Sequence, residues 1–294
     1  MSRADDRLAA RARVRYGRRF RLSDVDPGDT GHFKGKEQAR GHLERGVQRL
    51  AALQERLYAE DRWAVLIVLQ AMDAAGKDST IEHVMSGVNP QGCEVTSFKQ
   101  PSLQELHHDY LWRAHVRVPE CGRIGIFNRS YYEEVLVVRV HPELLESQRL
   151  PARVKSARLF EQRYDDINAF ERYLDRNGIV VRKFFLHISR DEQRRRFLDR
   201  LDRKEKEWKF SFADVEERKR WDDYQSAYED MIRATATPHA PWYVVPADHK
   251  WYARLVVASA IVETLESLDL KFPTIDPAKR KELKAVRRAL EKEG

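Results

Sequence analysis

The chain has 294 residues, of which 54 are Lys or Arg and 47 are Asp or Glu, so the formal net charge is +7 and a nucleotide, a nucleic acid or another polyanion is an expected partner. A composition of 42% hydrophobic and 34% charged residues indicates a globular protein that forms one large α/β domain or two smaller ones. Cys93 and Cys121 do not support a disulfide framework or a zinc site, and neither a membrane span of roughly 20 apolar residues nor a targeting peptide is recognisable, so we expect a cytoplasmic protein.

The N-terminal residues 1–32 are rich in Arg and end in the turn-forming stretch Asp26-Pro27-Gly28-Asp29. This pattern predicts an arm that precedes the domain and is either solvated or packed on its surface. A helix is predicted over residues 37–59, because apolar residues recur at helical spacing from Leu43 to Leu57. We expect this helix to pack on a sheet.

The segment from Trp63 to Gly87 is the centre of the sequence. Its uninterrupted apolar run, residues 64–69, predicts a strand that is buried on both faces of a parallel sheet. Small residues follow, end in Gly76-Lys77 and lead into a predicted helix. A strand, a loop and a helix in this order form a phosphate cradle, because small side chains let backbone N–H groups approach an anion. The alternative is a Gly-Lys pair in an ordinary turn between a strand and a helix.

The loop departs twice from the general pattern G-x-x-x-x-G-K-[ST]. Ala71 stands at the position of the first glycine, and Asp78 replaces the hydroxyl residue that binds magnesium. Asp73 also places a carboxylate in a loop for phosphate, where it would repel the ligand unless a divalent cation lay between them. We therefore expect Mg²⁺ as a cofactor, with Mn²⁺ as a substitute.

Four further strands are predicted after the loop. They lie at residues 93–98, 122–127, 179–188 and 242–245. The strand over residues 122–127 delivers Asn128, Arg129 and Ser130 to the carboxyl edge of the sheet, where ligands bind in open α/β sheets. Helices are predicted at residues 102–115, where Ser102 and Glu105 form a capping box, and at residues 152–177, 214–234, 249–268 and 277–294.

A further capping box, Ser189 to Glu192, opens a helix that is rich in arginine. Charge runs are usually solvated faces, and that interpretation stays open. However, small-phosphate kinases carry a mobile lid at this position, and an Arg-rich lid can close over transferring phosphates. We expect such a lid at about residues 194–212, with Arg196 and Arg200 facing the phosphates.

The chain resembles the polyphosphate kinase 2 family, the polyphosphate:nucleotide phosphotransferases, over residues 33–272. The resemblance rests on the segments QAMDAAGKD, SGVNPQG, SFKQPS, IGIFNRSYYEEVLVVRVHP, EWKFS and APWYVVPADHKWYAR. It implies a P-loop kinase-like three-layer α/β sandwich with a central parallel sheet and a helical lid. The charge of residues 273–294, beyond this range, predicts a C-terminal helix outside the core. It also implies reversible transfer of the terminal phosphoryl group of polyphosphate to a nucleoside mono- or diphosphate.

The resemblance implies roles for single residues as well. Asp73 and Asn128 would organise the metal, Lys77 would bind phosphate, and Arg129 would neutralise charge on the transferring group. Asn128 together with Glu133 resembles the subgroup that phosphorylates both AMP and ADP, and Glu133 is predicted to be catalytic along with Asp73, Lys77 and Arg129. The predicted substrate-binding residues are Lys36, Gly76, Asp78, Lys99, Arg113, Asn128, Arg196, Arg200, Lys206 and Lys209.

Two other functions remain open at this point. A nucleoside or nucleotide kinase that uses ATP would share the fold and differ in its donor. A nucleic-acid-binding P-loop protein would need aromatic residues among its basic ones for base stacking, whereas the stretch from Arg194 to Arg203 contains only Phe197. We therefore expect inorganic polyphosphate and adenine nucleotides as ligands, guanine nucleotides as further candidates, no nucleic-acid partner, and a homo-oligomer.

Overall fold

A computed structural model describes residues 5–208 and 210–292 of the chain. Its strands are β1 (Arg13–Val14), β2 (Ala64–Ala71), β3 (Cys93–Ser97), β4 (Ile124–Asn128), β5 (Ile179–His187) and β6 (Trp242–Pro246). They form one sheet in the order β1-β6-β5-β2-β4-β3. β1 pairs antiparallel with β6, and every other pair of neighbours is parallel. The predicted α/β fold with a central parallel sheet is therefore confirmed, with an antiparallel edge strand added to it.

The α-helices of the described residues alternate with these strands. They are α1 (Asp5–Ala12), α2 (Lys36–Glu60), α3 (Lys77–Val84), α4 (Trp112–His115), α5 (Val137–Val140), α6 (Leu159–Arg176), α7 (Arg190–Leu201), α8 (Lys204–Glu207), α9 (Phe212–Lys219), α10 (Trp221–Thr235), α11 (Lys250–Glu266) and α12 (Pro277–Leu290). None of the helices in the described part of the chain is both long enough and apolar enough to span a bilayer.

The helices form two layers, one on each face of the sheet. In one layer α1, α2 and α3 pack on α11, and in the other α6 packs on β5 and α10. The middle strand β2 lies between the layers, and all eight of its residues are buried. Because a strand covered on both faces must be apolar throughout, the continuous run in the sequence fits this central position.

The segment 1–32, predicted as an arm, contributes its described residues to the domain. Leu8 and Ala9 of α1 are 2% and 0% exposed in the main core. β1 follows α1 directly and extends the sheet beside β6, and Arg13 pairs with Glu263 of α11. This segment therefore covers one edge of the sheet.

Two predicted helices are shorter in the structure than in the sequence prediction. The capping box forms, since the Ser102 amide donates to Glu105 Oε2 at 2.7 Å, but only a 3₁₀ turn follows over Glu105–His107. Asp109 Oδ1 then accepts from the Leu111 amide at 3.0 Å, and this local turn separates α4 from the cap. The helix predicted over residues 152–177 begins at Leu159, after a separate 3₁₀ turn at Ala152–Val154. Local side-chain bonds compete with the helical ladder in both places, since Ser156 Oγ accepts from the Arg158 amide at 3.3 Å before the second helix.

Candidate active site

The site lies beyond the carboxyl ends of three neighbouring strands. The last residues of β4 and β3, Asn128 and Ser97, pair with each other, and Asn128 also pairs with Leu69 near the end of β2. A cavity of about 670 Å³ opens there. Its lining brings together these predicted site residues: Asp73, Gly76, Lys77, Asp78, Lys99, Asn128, Arg129, Arg196 and Arg200.

The backbone at this edge is held in an unusual conformation. Ala74 in the phosphate loop and Arg129 at the end of β4 both have φ of 62°, and Gly76 has φ of 104°. Glycine adopts such angles readily, whereas a side chain costs about 1–2 kcal/mol there. Strain of this kind persists only where surrounding contacts fix the backbone, and it concentrates at functional sites.

Lys77 is folded back onto the loop that precedes it. Its Nζ donates to the carbonyl oxygen of Ala71 at 2.8 Å. Burial of the ammonium group lowers the pKa of Lys77, and the carboxylate of Asp73 offsets part of that change. The lysine therefore lies at the root of the cavity, where its charge would meet a phosphate at the N-terminus of α3.

Arg129 and Asp73 form an ion pair across the cavity edge. Arg129 Nη2 donates to Asp73 Oδ1 at 2.8 Å. Burial acts against the charge of the guanidinium, but the carboxylates of Glu133 and Asp73 outweigh it and raise the pKa of Arg129. Arg129 is thus a permanent cation beside the loop.

Asp73 and Asn128 offer oxygen atoms of the type that Mg²⁺ prefers. Asn128 Nδ2 donates to Asp78 Oδ1 at 2.6 Å, which turns the other amide atom, Oδ1, away from that carboxylate. Within the described residues no group of three or more His, Cys, Asp and Glu converges as a metal cage. Mg²⁺ is commonly held by one or two protein oxygens together with substrate phosphates, so this sparse set fits the ion.

Buried hydrogen bonds to Glu171 fix the position of the segment after Arg129. The hydroxyls of Tyr131 and Tyr132 both donate to Glu171 Oε1, at 2.9 and 2.7 Å. Lys183 of β5 donates to Glu171 Oε2 at 2.6 Å, and both members of this ion pair are 0% exposed. A buried pair that keeps all its partners fixes geometry, so this network sets the position of the strand end that carries Arg129.

Glu133 lies next to Arg129 and lines a second cavity of about 420 Å³. In the amide orientation that satisfies both of its atoms, the Gln70 nitrogen donates to Glu133 Oε1 at 2.8 Å and its oxygen accepts from Ser130 Oγ at 3.0 Å. Burial raises the pKa of the Glu133 carboxyl, and the cations of Arg129 and Lys77 offset part of the rise.

The two cavities share one wall. Phe98, Lys99, Gln100 and Arg129 line both of them. Arg113 lines only the second, where its Nη2 donates to the Lys99 carbonyl oxygen at 2.8 Å and its guanidinium lies 5.0 Å from the Phe98 ring centroid. Arg113 therefore supports the shared wall and faces the second cavity.

Arg196 belongs to the cavity lining, but its N–H groups are directed at the protein and not at the phosphates as the sequence predicted. Its side chain is 5% exposed, and its guanidinium makes five bonds, to Glu192 Oε1 and to four backbone carbonyls. A guanidinium has five N–H donors, so this side chain has none left for a phosphate. The prediction that Arg196 binds substrate is corrected, because its N–H groups are used to bind the protein itself.

Arg200, one helical turn further along α7, does line the large cavity. Its Nη1 lies 3.5 Å from Asp214 Oδ2, a long contact that uses little of its hydrogen-bonding capacity, and its side chain is 23% exposed. Arg200 is therefore available to an anion in a way that Arg196 is not.

With this geometry in view, residues 34–273 match the sequence model of the family described as Polyphosphate kinase 2 (PPK2). The chain belongs to this family. It is 54% identical over 267 residues to an ADP-polyphosphate phosphotransferase of Rhodopseudomonas palustris, which covers 90% of this chain and 91% of the relative. It is 50% identical over 270 residues to an AMP/ADP-polyphosphate phosphotransferase of Meiothermus ruber, which covers 92% and 97%.

A solved structure agrees with the sequence comparison. The crystal structure of Polyphosphate Kinase 2 from Arthrobacter aurescens is similar with a TM-score of 0.86 and 41% identity, over 95% of this chain and 96% of that chain. The family predicted from the segments of the sequence is thus confirmed. The P-loop kinase-like architecture is confirmed with it.

Three of the residues predicted for the PPK2 site lie elsewhere or cannot be placed. Lys36 is exposed at the first residue of α2 and is not part of the described lining of either cavity. Lys209 falls outside the described residues, as does the side chain of Lys206. Their predicted contacts with substrate stay predictions.

Sequence reasoning missed two residues of this PPK2 site. Lys250 lines the large cavity from the first turn of α11. It follows the end of β6, so the same rule that selected Asn128 and Arg129 after β4 could have found it. Gln193 of α7 is 1% exposed and donates to the Asp73 carbonyl oxygen at 3.0 Å, a contact that no pattern in the sequence signals.

Proposed function

We propose that this chain transfers the terminal phosphoryl group of inorganic polyphosphate to AMP or ADP, in a reversible reaction that depends on Mg²⁺. The observation that carries the proposal is the pair of adjoining cavities with Arg129 in their shared wall. Two substrates can then meet at one cation. The names of the PPK2 relatives from R. palustris and M. ruber support polyphosphate with ADP or AMP as this pair.

The donor chain belongs in the large cavity. Polyphosphate carries about one charge per phosphate and no bases, so it is recognised by cations and backbone N–H groups alone. Lys77, Lys99, Arg200 and Lys250 line this cavity around the phosphate loop, which acts as a Walker A-type cradle. Together with Arg129 in the shared wall, these side chains suit a polyanion.

The acceptor nucleotide belongs in the second cavity. Its lining combines an aromatic ring, Phe98, with aliphatic side chains such as Val137 and Val138, which suit a nucleobase and a ribose. Arg113 and Arg129 supply charge for the phosphates of the nucleotide. Adenine is the proposed base, and guanine is a second candidate.

The chemistry needs position and charge more than covalent help. An oxygen of the acceptor's terminal phosphate forms a bond to the terminal phosphorus of polyphosphate, and the bridging P–O bond of the donor breaks, so the donor is shortened by one phosphate. No proton has to move, since the attacking phosphate is already ionised. Lys77, Arg129 and Arg200 would neutralise the equatorial charge of the transferring group.

Mg²⁺ is the proposed cofactor, and Asp73 and Asn128 are the residues that would hold it, with Mn²⁺ as a substitute. The ion would neutralise phosphate charge beside the loop. Asp73 would then be held between the metal and Arg129, so that its carboxylate no longer repels the ligand. This role accounts for a carboxylate inside a phosphate loop.

The deciding experiment compares donors. Purified protein is incubated with AMP, Mg²⁺ and either polyphosphate or ATP, and nucleotides are separated by chromatography. ADP formation with polyphosphate is expected. Turnover with ATP but none with polyphosphate would contradict the proposal and favour an ATP-dependent nucleotide kinase of the same fold, the alternative that the family assignment disfavours. Cytoplasmic location, a homo-oligomer and the absence of a nucleic-acid partner remain predictions from the sequence.

A further inference from the structure

Three successive carbonyl groups of the phosphate loop accept hydrogen bonds from one helix. Gln193 Nε2 donates to the Asp73 oxygen at 3.0 Å. Arg196 Nη1 donates to the Ala74 oxygen at 3.1 Å and to the Ala75 oxygen at 2.7 Å. Both donors belong to α7 and are buried, at 1% and 4% exposure. The loop is therefore bound to α7 along its backbone.

The direction of these carbonyls fixes the direction of the neighbouring amides. In a trans peptide the C=O of one residue and the N–H of the next point in opposite directions. Holding the carbonyls of Asp73 and Ala75 toward α7 directs the N–H groups of Ala74 and Gly76 away from it. The same bonds hold Ala74 at φ of 62°, which an unsupported alanine would leave.

Arg196 also connects the loop to the turn after β6. Its Nη2 donates to the oxygens of Ala247 at 2.6 Å and Asp248 at 3.0 Å. Asp248 Oδ1 in turn accepts from the amide of Ser189, the N-cap of α7, at 2.7 Å. This turn leads into Lys250, so one guanidinium sets the positions of the loop before Lys77 and of the turn before Lys250.

Gln193 has a second partner on α9, beyond the predicted lid. Arg218 of α9 donates to Gln193 Oε1 at 2.8 Å and to the Arg190 oxygen at 2.8 Å. Gln193 thereby joins α9 to the carbonyl of Asp73, the residue whose side chain pairs with Arg129.

We propose that Gln193 and Arg196 are positioning residues for the donor phosphates, and that Arg218 acts through Gln193. They touch no substrate. They hold the loop in the one backbone conformation that presents its N–H groups to phosphate. They play no part in the binding of the acceptor. The inference rests on the proposed function for the identity of the donor.

The first test uses Gln193→Met, which keeps the volume of the side chain and removes both of its hydrogen bonds. Binding of inorganic tripolyphosphate and of AMP is measured by calorimetry below the melting temperature. We expect tripolyphosphate affinity to fall about tenfold or more, with AMP affinity within about twofold, since small misplacements of positioning groups cost up to about 100-fold. Unchanged tripolyphosphate affinity in the folded variant would overturn the proposal.

A matched pair on α7 provides the control. Arg195→Ala removes a neighbouring arginine that is 69% exposed and pairs only with Glu192 among the contacts described for it. It should keep full donor affinity. Arg196→Ala should lose donor affinity, and added guanidinium ion at millimolar concentration should restore part of its turnover. Loss in both variants, or no rescue where Arg196→Ala folds, would contradict the assignment.

Arg218→Met tests the connection to α9. If Arg218 acts through Gln193, the double variant with Gln193→Met should bind tripolyphosphate no more weakly than Gln193→Met alone. Additive losses would mean that Arg218 acts separately. Turnover of the wild-type protein with polyphosphate tests the proposed function separately. If only ATP serves as donor, a loss of ATP affinity in Gln193→Met still supports the positioning role.

Discussion

Arg196 and Arg200 differ in role although they lie one turn apart on the same helix. The Arg196 side chain is 5% exposed, and its guanidinium makes five bonds to protein acceptors. The Arg200 side chain is 23% exposed, lies in the cavity lining, makes a long contact to Asp214 and lies over the Phe197 ring at 5.5 Å from its centroid. The first belongs to the scaffold that shapes the site, and the second is placed to meet the ligand.

Helical spacing predicts that two residues lie on the same face of a helix, but not that they are equally buried. Residues four apart lie on one side of a helix, so the spacing predicted the same role for both arginines. α7 begins at the carboxyl end of β5, where loops surround it, and extends away from the sheet. Arg196 therefore meets backbone carbonyls, whereas Arg200 meets the cavity and Asp214.

The largest effect is expected on the ligand side, at Asp73. Asp73→Asn should lower turnover about 1,000-fold or more, because it removes the negative charge of the one carboxylate in the proposed Mg²⁺-binding pair, while the free energy of unfolding stays within about 1 kcal/mol. Steady-state kinetics and urea unfolding measure the two quantities. Asp165→Asn, an exposed change on α6, is the control, and normal turnover in Asp73→Asn would remove this carboxylate from the mechanism.

On the scaffold side, Arg196→Ala should destabilise the fold by about 3–5 kcal/mol. The change leaves four carbonyls and the Glu192 carboxylate without their buried partner. Urea unfolding gives the value, and Arg195→Ala should stay within about 0.5 kcal/mol of the wild type. Wild-type stability in Arg196→Ala would show that the five bonds are not what holds the loop.

A buried histidine beside the turn that Arg196 binds leads us to expect that the stability of the fold depends on pH. The carbonyl oxygen of His187 accepts from the Ala247 amide at 2.8 Å, and burial lowers the pKa of His187 from 6.5 to about 4, with Asp248 offsetting part of the shift. The folded state holds the neutral ring, so the unfolded state takes up a proton first on acidification. Stability should be fully present above about pH 6.5 and fall by up to about 3 kcal/mol toward pH 4.

A neutral replacement isolates this effect. His187→Gln removes the titrating group, so its free energy of unfolding should depend less on pH than that of the wild type between pH 6.5 and 4. Chemical unfolding at a series of pH values gives the difference. Identical pH profiles for the two proteins would show that His187 titrates normally in the fold.

Much of the fold and part of the site followed from local patterns. The apolar run of β2 and the small residues before Lys77 identified the central strand and the phosphate loop. Burial on both faces of a sheet requires apolar residues, and close approach of the backbone to an anion requires small ones. The strand-end rule placed Asn128 and Arg129 correctly beside that loop. The family segments then identified the relatives.

The rest depends on contacts between distant segments. The acceptors of Arg196 lie 122 and 51 residues away, at Ala74 and Ala247, and nothing near Arg196 in the sequence announces them. The edge strand β1 is two residues long, too short for any periodicity. The capping box at Ser102 was read correctly, but the turn at Asp109 ended its helix.

The smallest of the four effects is expected at Arg200, and it tests the comparison most directly. Arg200→Ala removes one cation from a partly solvated position, so turnover should fall about 10- to 100-fold, while the contact to Asp214 contributes no more than about 1 kcal/mol to stability. Kinetics with polyphosphate and urea unfolding of the same preparation separate the two. Arg200→Lys keeps the charge and should recover most of the turnover if neutralisation alone is needed, but little if two phosphate oxygens must be bound together. Full activity of Arg200→Ala would make both arginines of α7 parts of the scaffold, and the contrast between them would then lie in burial alone.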